Sequence, residues 1–188
     1  MDQRTLVQRA QRGDHDAFAT LARSAVGRLG PATRLILRDP ELARDALQEA
    51  LIRCWRDLPG LRDPDRFEAW LYRLTVNACL VLARRRRRRA FEVDIAELDI
   101  QSGTDVAGAV AERDQLDRAL KQLAPDRRAL VVMHIYLGIP LPEVADQLGI
   151  ALGTAKSRLN RALAVLRVSV DQESDISAAR VQERGQPA

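Results

Sequence analysis

Apolar positions recur along this chain every three or four residues, the period of one buried helix face. Leu6, Ala10, Phe18, Leu21 and Ala25 mark a helix pair or one long helix over residues 3–29, with Gly13-Asp14 as a break point and Pro31 as an interruption. Asp39-Pro40-Glu41 combines an N-cap aspartate, a first-position proline and a first-turn acid, so it predicts a helix start. That helix runs to about Leu58, where Pro59-Gly60 ends it, and Ala43, Leu47, Ala50, Leu51, Cys54, Trp55 and Leu58 form its core stripe. After a polar loop over 59–66, a third helix begins near Phe67, packs Phe67, Trp70, Leu71, Leu74, Ala78 and Val81 inward, and ends in six arginines, Arg84 to Arg89.

Residues 91–111 show no sustained period and include Ser102-Gly103-Thr104, which reads as a flexible linker. Helices are predicted at about 112–123 and 126–137, parted by Pro125. Pro142 to Leu148 then forms a short helix, Gly149 supplies a turn, and a last helix runs from Leu152 to about Val168 before a polar tail. The pattern predicts an all-α protein of two small helical domains, over 1–90 and 112–168, with an acidic linker at 91–111 and a tail at 169–188.

Charge sharpens this division. Residues 1–90 carry 19 basic and 11 acidic side chains, and residues 112–167 carry nine and six. Residues 91–111 carry five acids and no base. Two basic blocks separated by an acidic strap suggest two modules that each meet a polyanion. No apolar run approaches the ~18 residues of a membrane span, and the first residues lack a signal-peptide core. The chain is therefore expected to be soluble and cytoplasmic. His15 and His134 stand isolated from other ligand-type residues, so no metal or cofactor is expected. Cys54 and Cys79 read as small core residues. No nucleophile has an evident base partner, and no glycine loop cradles phosphate, so an enzyme is not expected.

The segment from Leu141 to Arg167 is the most informative. On the final helix, Leu152, Ala155, Leu159, Ala162, Leu163 and Leu166 fall in one arc of about 100°. Thr154, Ser157 and Arg161 lie opposite, with Lys156 and Asn160 on one flank and Arg158 on the other. No acid occurs from Ile150 to Val170, which is unusual for a face that is merely solvated. A short helix, a glycine turn and a donor-rich helix have helix-turn-helix geometry, suited to the DNA major groove. On the helix 40–58 the outer face mixes Glu41, Asp45, Glu49 and Arg56 with Leu42 and Ile52, which is either a protein-binding ridge or scattered exposure. On the helix 67–89, Arg73, Asn77, Leu80 and Arg84 line a second ridge leading into arginines that are either solvated or set against phosphates.

Three segments in order resemble a bacterial RNA polymerase sigma factor of the extracytoplasmic-function group of the sigma-70 family. Ala43-Arg44-Asp45-Ala46-Leu47-Gln48-Glu49-Ala50-Leu51-Ile52-Arg53-Cys54-Trp55 is similar to the polymerase-binding helix of sigma region 2. Phe67-Glu68-Ala69-Trp70-Leu71-Tyr72-Arg73-Leu74-Thr75-Val76-Asn77 with the arginines resembles the promoter-melting helix. Leu123-Ala124-Pro125-Asp126-Arg127-Arg128, Glu143-Val144-Ala145 and the run Gly153 to Ala162 resemble region 4.

The resemblance implies a transcription initiation factor that binds core RNA polymerase, directs it to −35 and −10 promoter elements and helps open the duplex. It places Asp45, Gln48, Glu49 and Ile52 against the polymerase clamp, and the inner side of region 4 against the polymerase flap. Arg62, Trp70, Arg73, Asn77, Arg84 and Arg85 would meet the −10 element, and Thr154, Lys156, Ser157, Arg158, Asn160 and Arg161 the −35 element. An anti-sigma protein is a further implied partner. The sequence departs from the family in four places. Leu141 and Ala151 stand where the two helices of the turn motif usually have Ser or Thr caps, and Val76 and Val81 where Arg and Asp are common. The competing reading is a stand-alone helix-turn-helix regulator whose N-terminal half senses or dimerises, but a sensor needs neither an arginine-ended helix nor an acidic partner ridge.

Overall fold

A computed structural model describes residues 2–93 and 117–184. Beyond Val93 the expected linker lies outside the described residues, as does the start of the helix expected at 112. The described residues contain helices and turns and no strand.

The first module is built from α1 (Gln3–Gln11), α2 (His15–Leu37), α3 (Pro40–Asp57) and α4 (Phe67–Val93). Asp2 and Asp14 accept hydrogen bonds from the Thr5 and Ala17 amides, so α1 and α2 are separately capped. Gly13 between them has φ 90°, a conformation that favours glycine, and the expected break becomes a real turn. The expected interruption at Pro31 does not occur, and α2 passes through it to Leu37. An internal proline costs about 3 kcal/mol. Here Leu29, Ala32, Ile36 and Leu37 on either side are all buried, and tertiary packing outweighs the local preference.

Asp39 starts α3 as its sequence predicts, its Oδ1 accepting from the Glu41 and Leu42 amides at 3.0 Å each. Pro40 has no amide to leave unsatisfied. Val7, Leu21, Leu29, Leu47, Cys54, Leu58, Phe67 and Leu71 form one core of this module. Arg28 ties α2 to α4 by an ion pair with Glu68 at 2.7 Å and lies over the Tyr72 ring. The buried Thr75 hydroxyl donates to the Leu71 carbonyl at 2.9 Å, so no polar group is stranded there.

The second module contains a helical segment at 117–121, α5 (Pro125–Val131), a π-helical stretch at Val132–Tyr136, α6 (Leu141–Gln147) and α7 (Leu152–Arg184). The sequence period predicts an uninterrupted helix at 126–137, whereas Val132–Tyr136 widen into the π form. Gly138 (φ 68°) turns the chain away, and Ile135 and Tyr136 are left half-exposed. The last helix also exceeds its expected end: the tail assigned to 169–188 is helical through Arg184. No Gly or Pro occurs between Val168 and Arg184 to stop it, and the next glycine is Gly185.

A second apolar cluster runs across both modules. Ile36, Ala43, Ala46, Val76 and Cys79 from the first share it with Leu120, Leu130, Met133, Val144, Ala155 and Leu159 from the second. Arg38 at the end of α2 forms an ion pair with Asp117 at 3.0 Å across the same seam.

Candidate polymerase and nucleic-acid interfaces

The core stripe of α3 turns Ala43, Ala46, Ala50 and Cys54 inward, which forces Asp45, Gln48, Glu49 and Ile52 onto its solvent side. All four are exposed, Ile52 to 54 %. Glu49 pairs with Arg53 at 2.6 Å one turn on, and Glu41 pairs with Arg44. Beside this acidic ridge lies an apolar groove of about 530 Å³ between α2 and α3, lined by Phe18, Val26, Leu47, Leu51, Ile52 and Trp55 with Arg44 and Gln48 at its edge. Ile52 therefore belongs to a continuous apolar surface and is not scattered exposure.

Trp55 is held in that groove by two rings with centroids at 4.8 Å, those of His15 and Phe18. His15 is thereby a packing residue. His134 has its Nδ1 2.8 Å from the Ile139 carbonyl oxygen and closes the turn after the π stretch. Among the described residues no group of three ligand-type side chains converges to hold a metal.

On α4, Arg73 and Asn77 are exposed on one face and Trp70 is half-buried at its edge, its ring 6.3 Å from Phe67. Arg84 and Arg85 continue into solvent, so the expected ridge is present, although Leu80 within it packs partly against the core. Val76 is 3 % exposed and belongs to the core, so it cannot reach DNA. Arg62 is exposed on the connecting loop, which is made of two 3-10 turns, Leu58–Gly60 and Pro64–Arg66. Sequence reasoning missed what holds this loop. Gln11 of α1 donates from Nε2 to the Leu58 and Leu61 carbonyls at 3.2 and 2.7 Å, and Arg4 pairs with Asp65.

In the second module, Gly149 adopts φ 64° and the Ile150 amide returns to the Ala145 carbonyl at 2.9 Å, closing the turn between α6 and α7. Neither helix opens on a Ser or Thr cap: Leu141 and Ala151 stand at the positions in question. Pro140 precedes α6 with no side-chain cap bond, and the Ala155 amide donates to the Ala151 carbonyl at 3.0 Å. On α7, Ala155, Leu159 and Ala162 are buried, but Leu152, the first residue of the helix, is 38 % exposed and does not join the core as expected. Lys156, Asn160 and Arg161 are exposed; Thr154, Ser157 and Arg158 are half-buried. The Ser157 hydroxyl donates to the Thr154 carbonyl at 3.0 Å, and Arg158 lies 3.5 Å from Asp126 of α5. Of the six residues expected at the −35 element, Lys156, Asn160 and Arg161 are thus the most accessible.

Burial pushes the thiols of Cys54 and Cys79 up to about 12, with Asp57 adding to the effect at Cys54. Thiolate is scarce at pH 8, and both sulfurs are out of reach of solvent. Native protein is expected to react with neither equivalent of a thiol-disulfide reagent, and unfolded protein with both. Prompt labelling of the native chain would contradict the buried placement.

The sigma-70 region 2 family matches residues 17–89 and the sigma-70 region 4 family residues 113–166. The chain is 37 % identical over 154 residues to the ECF RNA polymerase sigma factor SigM of Mycobacterium tuberculosis, spanning 82 % of this chain and 77 % of that one. It is 33 % identical over 168 residues to the RNA polymerase sigma-E factor of Streptomyces avermitilis, spanning 89 % and 93 %. Its fold resembles CnrH in complex with the cytosolic domain of CnrY (TM-score 0.66, 26 % identity, covering 90 % of this chain and 97 % of that chain). The sigma factor RpoE of Bartonella quintana, solved with the anti-sigma factor NepR, shares the fold at TM-score 0.68 and 22 % identity, over 82 % and 96 % of the two chains. The chain belongs to the extracytoplasmic-function group of sigma-70 RNA polymerase sigma factors.

Proposed function

We propose that this chain brings core RNA polymerase to promoters by a division of labour among three exposed faces. The ridge of Asp45, Gln48, Glu49 and Ile52, with the apolar groove beside it, docks on the polymerase clamp. Arg62, Trp70, Arg73, Asn77, Arg84 and Arg85 engage the −10 element and capture an unstacked base, at a cost of a few kcal/mol offset by backbone and stacking contacts. Thr154, Lys156, Ser157, Arg158, Asn160 and Arg161 meet the −35 element in the major groove. Nucleotidyl transfer stays with the core enzyme, and the protein works in the cytoplasm, where polymerase and DNA are. The observation that carries this reading is the acid-free outer face of the first part of α7, residues 152–168, presented by the Gly149 turn on the side opposite Ala155, Leu159 and Ala162.

The module limits 1–90 and 112–168 belong to the same proposal, as does regulation by an anti-sigma protein. The partner of CnrH is a protein's cytosolic domain, and a comparable binding partner suits a chain of this fold. Run-off transcription tests the whole assignment: core polymerase with this protein, on fragmented DNA of its own genome, should give discrete start sites absent without it. DNA binding without initiation would instead favour a stand-alone regulator.

Among the α7 residues Arg161 is both exposed and on the outer face. Arg161→Ala is expected to weaken −35-dependent initiation by about 1–3 kcal/mol and to relax preference at one base pair. An equal loss on every −35 sequence would make Arg161 a phosphate contact.

A further inference from the structure

The loop between α3 and α4 consists of two short 3-10 turns, and α1 reaches both of them. Gln11 Nε2 donates to the Leu58 carbonyl at 3.2 Å and to the Leu61 carbonyl at 2.7 Å, so one amide group closes on both ends of the first turn. Both partners are acceptors, which requires the NH2 end of the side chain to face the loop. Leu58 is fully buried and Leu61 packs against the same core, whereas Arg62 and Asp63 are exposed. Gln11 therefore grips the last anchored residues before the chain emerges into solvent. The Leu61 carbonyl belongs to the same rigid peptide plane as the Arg62 amide, so a bond to it sets the direction in which Arg62 leaves the turn.

The helix that carries Gln11 is itself fixed. Asp2 caps α1, and Val7 and Ala10 are buried beneath it. Arg4 lies two helical turns before Gln11, about 10 Å along the same face, and pairs with Asp65 in the second turn of the loop. Asp63 tightens that turn by accepting from the Asp65 amide at 3.1 Å. Arg4 and Asp65 are 54 % and 60 % exposed, so their pair is a weak tie, and the half-buried Gln11 is the stronger one. Water could satisfy carbonyls at such a half-wet surface. A side chain held by a capped helix adds position as well, and a loop already in place is not ordered at the expense of binding.

We infer that Gln11 is a positioning residue for promoter opening: it presets the loop that presents Arg62 before DNA arrives. The inference rests on the proposed −10 role of Arg62 and Trp70. It gives α1 a part in that recognition without placing Gln11 in contact with DNA.

The test compares holoenzymes made from core polymerase and the full chain on the promoter fragments that run-off transcription identifies. Opening is read by permanganate reactivity of thymines in the −10 region, and base capture by affinity for a single-stranded oligonucleotide of the non-template −10 sequence. Gln11→Met keeps the side-chain length and removes both donors. It should weaken capture and opening about three- to tenfold and narrow the preference for the matched oligonucleotide over base-substituted ones. Retention of core polymerase and binding of −35 duplex should stay at the wild-type level. Gln11→Lys, which restores a donor on a long side chain, should recover most of the loss, and Arg4→Gln should change capture about twofold or less. A purely structural role would lower all these activities together, in step with the folded fraction by circular dichroism, and that result would overturn the inference. So would a loss that Gln11→Lys does not recover at all. Arg62→Ala and Trp70→Ala test the underlying reading in the same assays. Loss in those two with none in Gln11→Met would overturn the positioning role alone. No loss in any of the three would overturn the −10 assignment of the loop and the inference with it.

Discussion

Asp45→Arg combined with Glu49→Arg is expected to abolish co-purification with core RNA polymerase while leaving helix content unchanged. Both side chains are exposed on the outer face of α3, so reversal disturbs no core contact. The only local cost is the Arg53–Glu49 pair, an i,i+4 contact worth about 0.3–0.5 kcal/mol. At an interface the same charges do far more, because each reversal turns an attraction into a repulsion and leaves the partner's charge desolvated. Losing one such pair typically costs about 2–5 kcal/mol, so two reversals should lower affinity well beyond about 100-fold. The readout is the fraction of core enzyme retained by the tagged variant, with circular dichroism as the folding check. Undiminished retention would remove this ridge from the polymerase interface. In that case the apolar groove holding Ile52 and Trp55 would be the next surface to alter.

Much of this surface is legible in the sequence because its causes are local. Asp39-Pro40-Glu41 sets the start of α3 by capping geometry alone, and once the start is set the stripe of Ala43, Ala50 and Cys54 decides which residues face out. The same holds for α7, whose outward donors follow from the turn at Gly149 and the buried Ala155, Leu159 and Ala162. Where the sequence misleads, a distant contact has overruled a local signal. Pro31 reads as a helix end, yet Leu29, Ala32 and Ile36 are buried around it and hold α2 together. The π stretch at Val132–Tyr136 leaves no mark in an apolar pattern that suits either helix type.

The support of the loop between α3 and α4 is hidden for a related reason. Gln11 reaches carbonyls 47 and 50 residues away, and no sequence period encodes such a bond. Arg158 looks in the sequence like its neighbours Lys156 and Arg161, but Asp126 of α5 draws it to the side. Periodicity identifies a polar face; only packing tells which members of that face are engaged within the protein. The seam between the modules belongs to the same class, since apolar stripes on α4 and α5 do not state that they meet each other.

That seam makes the second large effect measurable. Leu130 is fully buried in α5, within the cluster that Ile36, Val76 and Cys79 of the first module also enter. Leu130→Ala removes packed methyl groups and leaves a cavity, which costs about 2–5 kcal/mol in a core that cannot collapse. Both tryptophans, Trp55 and Trp70, lie in the first module, so their fluorescence reports on that module alone. If the shared cluster couples the two modules, the tryptophan unfolding midpoint must fall in Leu130→Ala together with the midpoint followed by far-ultraviolet circular dichroism. A midpoint that stays at the wild-type value by tryptophan, while helicity is lost earlier, would mean that the modules unfold independently and the seam contributes little in solution. Coupling would have a functional consequence: a promoter complex that needs the two modules apart must first break this cluster, so Leu130→Ala would ease that separation even as it destabilises the second module.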